Sequence, residues 1–203
     1  MSGIQGLKNR IKSVNDTGKI TNAMYLIAST KLQKARKELA DTRPYFNALK
    51  TGVWRIFQTP ENMESPYFFN GVRKDTIPDD SYGILVITGD KGMAGAYNSN
   101  IIKKAEWLYN RHKDSRIFVV GEFGRKALQS KGIPFESDFL YTAQRPTMKS
   151  SREIAYRMME LFEDKKVDRL YIIYTDMKSA MIEEPIIDLL MPFCREDFDL
   201  DGD

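Results

Sequence analysis

Residues 4–56 read IQGLKNRIKSVNDTGKITNAMYLIASTKLQKARKELADTRPYFNALKTGVWRI, and one seven-residue repeat runs through the whole stretch. Small or apolar side chains recur at alternating intervals of three and four residues. The positions are Ile4, Leu7, Ile11, Val14, Gly18, Thr21, Tyr25, Ala28, Leu32, Ala35, Leu39, Thr42, Phe46, Leu49, Val53 and Ile56. This alternation is typical of a coiled-coil seam. It predicts one helix, roughly 80 Å long at about 1.5 Å per residue.

Two residues disturb this predicted helix. Gly18 lies in its interior, where glycine is about 1 kcal/mol less favourable than alanine, and with Thr21 it makes the middle of the seam narrow. Pro44 removes one backbone hydrogen bond and favours a bend. We predict a helix that bends near Pro44 and ends at residues 57–59; two helices separated by a break at Pro44 are the alternative.

Composition and charge restrict the class of protein. The 203 residues are 42% apolar and 29% charged, with a net charge of +3, which is ordinary for a soluble chain. The heptads begin at Ile4 and leave no room for a signal peptide, and no apolar run reaches the ~20 residues that span a bilayer. We expect a bacterial, cytoplasmic protein. Residues 1–43 hold nine basic and three acidic side chains, which predicts solvated faces or acidic partners.

The remainder of the chain predicts an α/β domain. Strands are predicted at 82–88, 116–120 and 170–174, an edge strand around Pro185 at 181–190, a weaker extended segment at 135–141, and helices at 99–112, 123–130 and 151–164. Continuous hydrophobicity in the strands is typical of a parallel sheet covered on both faces. The predicted fold class is therefore α/β, a Rossmann-like and mostly parallel sheet with helices on both faces, preceded by a long N-terminal coiled-coil helix.

Four segments organise the chain in this prediction. They are a shaft helix at 1–59, a linker at 60–80, the α/β domain at 81–195 and an acidic tail at 196–203. The linker contains several prolines and, at Tyr67–Phe69, one short apolar patch suited to docking.

The segment TGDKGMAGAYNSN at 88–100 lies after the first predicted strand, where open α/β sheets bind ligands. Its glycines are Gly89, Gly92 and Gly95. The spacing G-x-x-G-x-x-G matches neither the dinucleotide fingerprint nor the P-loop. We interpret these glycines as a tight structural turn, with Asn98 or Ser99 capping the next helix. A phosphate-binding loop is the alternative.

No catalytic constellation stands out. The single histidine, His112, is predicted to be a solvated residue at a helix end, and the single cysteine, Cys194, to be a buried or half-buried thiol without a disulfide or zinc partner. Adjacent acids are interpreted as solvated turns, and large apolar residues as helix packing. These are Asp79–Asp80 and Glu183–Glu184 for the acids, and Trp54, Trp107, Met158 and Met159 for the packing residues. We predict no catalytic residue, no metal site and no cofactor.

Three runs resemble the gamma subunit of F-type ATP synthases. Residues 4–36 are similar to the family's N-terminal helix, ITGDKGMAGAYNSNI at 87–101 to its first strand and following turn, and EEPIIDLLMP at 183–192 to its edge segment. The resemblance implies a noncatalytic central rotor stalk that couples proton flow to ATP synthesis at sites on the beta subunits. It also implies a peripheral position at the cytoplasmic face of the bacterial plasma membrane.

The resemblance implies partners as well. They are the alpha and beta subunits, the epsilon subunit, the membrane ring of c subunits, and a C-terminal helix of the same subunit that these 203 residues do not contain; no nucleic acid is implied. The residues expected to contact partners are Thr17, Gly18, Lys19, Ile20, Thr21, Ala23, Met24, Lys31 and Lys34. Basic charge and small side chains suit weak contacts that are remade repeatedly.

Two other functions are compatible with parts of the sequence. A basic coiled coil can bind nucleic acid, although no distinct basic region precedes these heptads. A small nucleotide-dependent enzyme can be built on the 88–100 segment.

Overall fold

The computed structural model describes residues 2–59, 65–69, 81–144, 146–179 and 182–198. These residues fall into two compact units, one within the first 59 residues and the other within 60–199. Most of the predicted linker, the Asp79–Asp80 pair and residues 199–203 of the predicted acidic tail lie outside the described residues.

The first unit is a single helix. Helix α1 runs from Ser2–Phe57 over 56 residues, which corresponds to about 84 Å at 1.5 Å per residue. Its end agrees with the predicted range. Pro44 lies inside the helix and does not divide it, so the two-helix alternative is wrong. An interior proline removes one backbone hydrogen bond, and α1 continues past Pro44 in spite of that local loss.

The second unit is built on a mixed sheet. Strands β2 (Tyr82–Ile87), β3 (Arg116–Val120), β4 (Arg169–Met177) and β5 (Glu183–Met191) lie in the order β3-β2-β4-β5. The first three are parallel, and β5 is an antiparallel edge strand beside β4. Pro185 is tolerated there because an edge strand leaves one row of backbone groups unpaired. The predicted strands and the edge position are confirmed.

Helices cover both faces of this sheet, as predicted. Helices α2 (Tyr97–Arg111) and α3 (Glu122–Ser130) pack on one face, and α4 (Met148–Glu163) packs on the other. The first core includes Ile84, Val86, Ile101, Val119, Leu128 and Ile173. The second includes Leu85, Phe118, Met158, Leu161 and Leu170. Because successive strand residues point to opposite faces, continuous apolar strands supply both cores.

The weak extended segment at 135–141 is not a strand. It lies in irregular conformation beside β3 and makes two backbone hydrogen bonds with that part of the chain: Glu136 N donates to Ile117 O at 2.8 Å, and Gly121 N donates to Tyr141 O at 3.0 Å. These bonds are too far apart in the chain to form a ladder. The segment instead covers the outer edge of β3.

A second, small sheet was not predicted. Strand β1 (Phe68–Phe69), in the apolar patch of the predicted linker, pairs in parallel with β6 (Phe193–Cys194). The chain then enters a 3-10 helix at Arg195–Phe198. Cys194 is buried, as expected. Two-residue strands leave too short a pattern for a period of two to be recognised.

Several side chains differ from their predicted settings. His112 is buried, and its ring centroid lies 3.8 Å from that of Tyr82; an aromatic partner thus replaces the expected water. Trp107 is 49% exposed, and its ring is covered by the guanidinium of Arg111 at 3.8 Å rather than by the core. Glu183–Glu184 begin β5 instead of forming a turn, although both remain exposed.

Candidate partner-binding surface

The heptad seam of α1 is exposed from Ile4 to Leu49. Leu7 is 60% exposed and Phe46 is 62% exposed, and the bulky seam residues between them have comparable exposure. Removing a side chain of this size from water is worth roughly 1.5–3 kcal/mol. Soluble proteins rarely leave a continuous apolar stripe of this extent bare, so such stripes mark interaction surfaces.

Apolar exposure extends around the helix between residues 20 and 28. Four large exposed apolar side chains lie here outside the seam positions: Ile20, Met24, Leu26 and Ile27. With Tyr25 and Ala28 on the seam, they extend the apolar surface of α1 well beyond one face, and Thr21 and Asn22 are the polar residues of this stretch. The closer a helix comes to being apolar on all sides, the more it is typical of a buried position.

We call the apolar side chains at residues 20–28 the apolar belt. The residues expected to contact partners include only part of it. Ile20 and Met24 were expected to contact partners, whereas Leu26 and Ile27 were not. The heptad pattern does not include them because it follows one face of the helix. The run AMYLIA at 23–28 carries the signal that identifies them, since it contains no charged residue.

The narrow part of the seam has open space around it. A Cβ atom added at Gly18 meets no atom within 4 Å. The Thr17 hydroxyl donates to Ser13 O at 2.8 Å, and the Thr21 hydroxyl donates to Thr17 O at 2.9 Å. Because both hydroxyls are satisfied within the helix, this stretch presents a small and weakly polar surface to an approaching chain.

The basic residues of α1 are solvated. Lys19 approaches Asp16 at 3.7 Å and Lys34 approaches Glu38 at 3.7 Å, all on the same helix. Exposed ion pairs of this kind contribute about 0–1 kcal/mol. Their lysines, together with the exposed Lys31, can therefore change partners at little cost when an acidic surface approaches.

The 88–98 turn is a structural turn with one projecting residue. Gly95 has a φ of +55°, which glycine adopts without strain. Met93 has a φ of +60° and is 96% exposed. Gly89 and Gly92 do not occupy the left-handed region, so a positive φ explains the choice of glycine only at Gly95.

The capping prediction is wrong. The N-cap of α2 is Ala96, which makes no side-chain capping bond. Asn98 lies inside the first turn, where its Oδ1 accepts from Gly89 N at 2.8 Å and its Nδ2 donates to Lys91 O at 3.1 Å. The other candidate, Ser99, donates to Ala96 O at 3.0 Å. Asn98 therefore stabilises the turn across its width instead of satisfying the helix end.

The ends of β2 and β3 are packed against each other next to this turn. Thr88 is 1% exposed, and its Oγ1 donates to Val120 O at 3.1 Å and accepts from Gly124 N at 3.0 Å. Gly121 has a φ of +101°, and a Cβ atom placed there lies 2.3 Å from Thr88 O. Only glycine fits between these two segments.

The described residues contain no group of three or more His, Cys, Asp or Glu side chains arranged to hold a metal ion. A groove of about 570 Å³ lies between α4 and the sheet, and its described lining, which includes Ile87, Val120 and Met158, carries no charged side chain. None of the helices within the described residues has the length and apolar character of a membrane-spanning segment.

Comparison with known proteins gives consistent matches. The sequence profile of the family described as ATP synthase matches residues 3–201. The ATP synthase gamma chain of Acetivibrio thermocellus is 38% identical over 192 residues, covering 95% of this chain and 64% of that protein. The corresponding chain of Ruminiclostridium cellulolyticum is 37% identical over 205 residues, covering 98% and 69%.

A third relative has a more specific description. The ATP synthase gamma chain of Acetobacterium woodii, described as sodium ion specific, is 33% identical over 199 residues, covering 98% of this chain and 64% of that protein. The chain thus spans about two thirds of the length of these curated relatives.

Proposed function

This chain belongs to the gamma-chain family of F-type ATP synthases, and on that premise we propose that it forms part of the central rotor stalk. In this role α1 turns inside the ring of alpha and beta subunits. Rotation couples ion flow through the membrane ring of c subunits to ATP synthesis or hydrolysis on the beta subunits. The chain supplies torque and asymmetry, and the chemistry takes place on other chains.

The apolar belt at residues 20–28 is the observation that carries this proposal. A helix that packs against a partner on one side needs only one apolar stripe. The belt exposes Ile20, Leu26 and Ile27 in addition to the seam. Such a segment is stable in water when other chains enclose it. A ring of subunits encloses a central helix on every side that a second shaft helix leaves open.

The remaining expected contacts agree chemically with a rotor. We propose that Thr17, Gly18 and Thr21 give a close but weakly bonded approach, since their polar groups are satisfied within α1 or absent. The seam is proposed to pair with the C-terminal helix of the same subunit. Lys19, Lys31 and Lys34 are proposed to meet acidic segments of the beta subunits. Solvent-exposed charge pairs form and separate readily, which a turning shaft requires.

The α/β unit is proposed to be noncatalytic. We propose that it contacts the epsilon subunit and the c ring, and that the complex lies at the cytoplasmic face of a bacterial membrane. We propose the proton as the coupling ion. One relative is described as sodium ion specific, so ion choice is a property to be measured in the assembled complex.

Co-purification with the alpha and beta subunits tests the function. The tagged chain, co-expressed with these subunits from its own organism, is expected to recover both of them. Charge reversal at Lys31 and Lys34 to Glu is expected to weaken recovery at low salt. Lys149→Glu, on the exposed surface of α4, serves as the matched control and is expected to have no effect. Failure of the original chain to recover either subunit contradicts the proposal.

Nucleotide titration tests the noncatalytic assignment. Calorimetry of the isolated chain with ATP is expected to show no tight binding, because the 88–100 segment lacks a P-loop lysine and serine or threonine at the required spacing. Micromolar affinity that Gly92→Val abolishes would support the nucleotide-dependent enzyme instead.

A further inference from the structure

Asp90 joins three segments through one carboxylate. Its Oδ1 accepts from Glu122 N at 3.1 Å and from Ala143 N at 3.1 Å. Its Oδ2 accepts from Gln144 N at 3.1 Å. Glu122 begins α3, and the other two donors lie in the segment before α4. A single side chain after β2 thus holds the start of one helix and a separate loop.

The next two N–H groups of α3 donate hydrogen bonds to residues that directly follow β2. Phe123 N donates to Gly89 O at 3.2 Å, and Gly124 N donates to Thr88 Oγ1 at 3.0 Å. The N-cap residue of α3 is Gly121, which has no side chain to accept them. Since a helix leaves its first N–H groups without partners, residues 88–90 replace the missing cap.

A negative charge is favoured at this position. The N–H groups and the helix dipole at a helix N-terminus attract anions, and open α/β sheets place ligand phosphates at the carboxyl ends of their strands. Asp90 lies at that end of β2, where its carboxylate accepts from the first N–H of α3.

We propose that Asp90 is a built-in anion, a positioning residue whose carboxylate takes the place that a phosphate has in nucleotide-binding sheets. It holds the 88–98 turn, the start of α3 and residues 143–144 in one arrangement. It also closes this place to phosphate ligands. The inference goes beyond the stalk function, because it explains how a sheet of this topology is kept from binding a nucleotide at this edge.

Removing the carboxylate in the full chain tests the proposal. In Asp90→Gly, the amides of Ala143 and Gln144 are expected to exchange with solvent at least tenfold faster, and the melting temperature of the α/β unit is expected to fall. Millimolar inorganic phosphate is then expected to raise the melting temperature of Asp90→Gly in a saturable manner. The same phosphate is expected to leave the original chain unchanged relative to chloride of equal ionic strength.

Two further variants separate a local anion effect from a general one. Asp90→Asn keeps an acceptor and fills the space, so it is expected to lose stability without recovering it in phosphate. Asp114→Gly, at an exposed position in another loop, controls for the added glycine and is expected to show no phosphate response. Unchanged exchange at residues 143–144 in Asp90→Gly overturns the lock. A phosphate response of Asp90→Gly no larger than that of the original chain overturns the anion assignment.

Discussion

Gly121 is a position in the α/β unit where the packing leaves no room for any residue other than glycine. Its φ of +101° is strained for any side chain, and the atoms nearest to an added Cβ belong to Thr88, at 2.3 Å for the backbone oxygen and 2.5 Å for Oγ1. Neither atom can move easily, because Thr88 is itself fixed by hydrogen bonds to β3 and α3. Strain and overpacking therefore act at the same place.

Gly121→Ala is expected to destabilise the α/β unit by about 3 kcal/mol or more. Positive-φ strain contributes roughly 1–3 kcal/mol, and overpacking contributes a similar amount, about 1–3 kcal/mol. Denaturant unfolding followed by circular dichroism measures the difference. Gly132→Ala is the control, since Gly132 has a φ of +67° but no atom within 4 Å of an added Cβ. It is expected to lose only the strain part, and equal losses in the two variants would contradict the argument.

Tyr174 links stability to alkaline pH. Its hydroxyl donates to Asp188 Oδ2 at 3.0 Å between β4 and β5. Burial, and then the nearby charge of Asp188, raise the pKa of Tyr174 above its ordinary value of 10.0. The unfolded chain therefore loses this proton at a lower pH than the folded chain does. The protonated Tyr174 hydroxyl contributes fully to stability below about pH 10, and this contribution is lost as the pH rises further.

Tyr174→Phe is expected to reduce the loss of stability between pH 9 and 11, because the variant has no proton to lose at this position. Urea unfolding at several pH values measures the slope of the unfolding free energy. Tyr156→Phe provides the comparison, since the Tyr156 side chain is 75% exposed. If both variants decline with pH as steeply as the original chain, the Tyr174–Asp188 pair is not responsible.

Asn98 and His112 show what the sequence leaves undetermined for single residues. Both lie near helix ends, where asparagine commonly caps and histidine is commonly solvated. The structure uses Asn98 to bridge Gly89 and Lys91, and it stacks His112 on Tyr82. Each outcome depends on a partner at least seven residues away in the chain, which a local pattern does not reveal.

Helix α1 shows the opposite case, in which local pattern determines the element. Seven heptads predict its existence and its end. They favour a helix that bends at Pro44 over two separate helices, and the structure excludes the second alternative. The strands with continuous apolar runs were equally clear. The segment at 135–141 and the two-residue strands were not, since their positions depend on the edge of β3 and on the pairing of residues 68–69 with 193–194.

Gly18→Leu is expected to act in opposite directions on α1 and on its complexes. In the isolated chain it should increase helix stability by about 1 kcal/mol, because glycine is a poor helix former and no atom lies within 4 Å. In the complex it should weaken assembly about tenfold or more, since forcing apart closely packed chains costs roughly 1–3 kcal/mol. Helicity and co-purification with the alpha and beta subunits measure the two effects.

Gly6→Leu separates propensity from close approach. Gly6 also lies in α1 with open space around it, but it is outside the seam and outside the residues expected to contact partners. It should raise helicity without weakening assembly. Normal assembly by Gly18→Leu would contradict a close approach at residues 18–21.

The isolated molecule exposes more apolar surface on α1 than water favours. We expect the 203-residue chain to self-associate through residues 4–56, or to lose helix order there while the α/β unit stays folded, because the seam side chains gain roughly 1.5–3 kcal/mol each on burial. Sedimentation and circular dichroism over a range of concentrations measure both outcomes.

Leu32→Glu combined with Leu39→Glu is the variant that tests the seam. It should suppress self-association, whereas Leu26→Glu, which lies off the seam, should reduce it less. A chain that is monomeric at high concentration with a fully ordered α1 would contradict the expectation.

Enclosure of the apolar belt by other subunits is the central claim, and hydrogen exchange tests it most directly. The full chain is compared alone and in complex with its alpha and beta subunits. We predict that amides at residues 17–34 become strongly protected in the complex, while β2, β3 and β4 keep the protection they have in the free chain. Unchanged exchange across residues 17–34 in an assembled complex would contradict the claim.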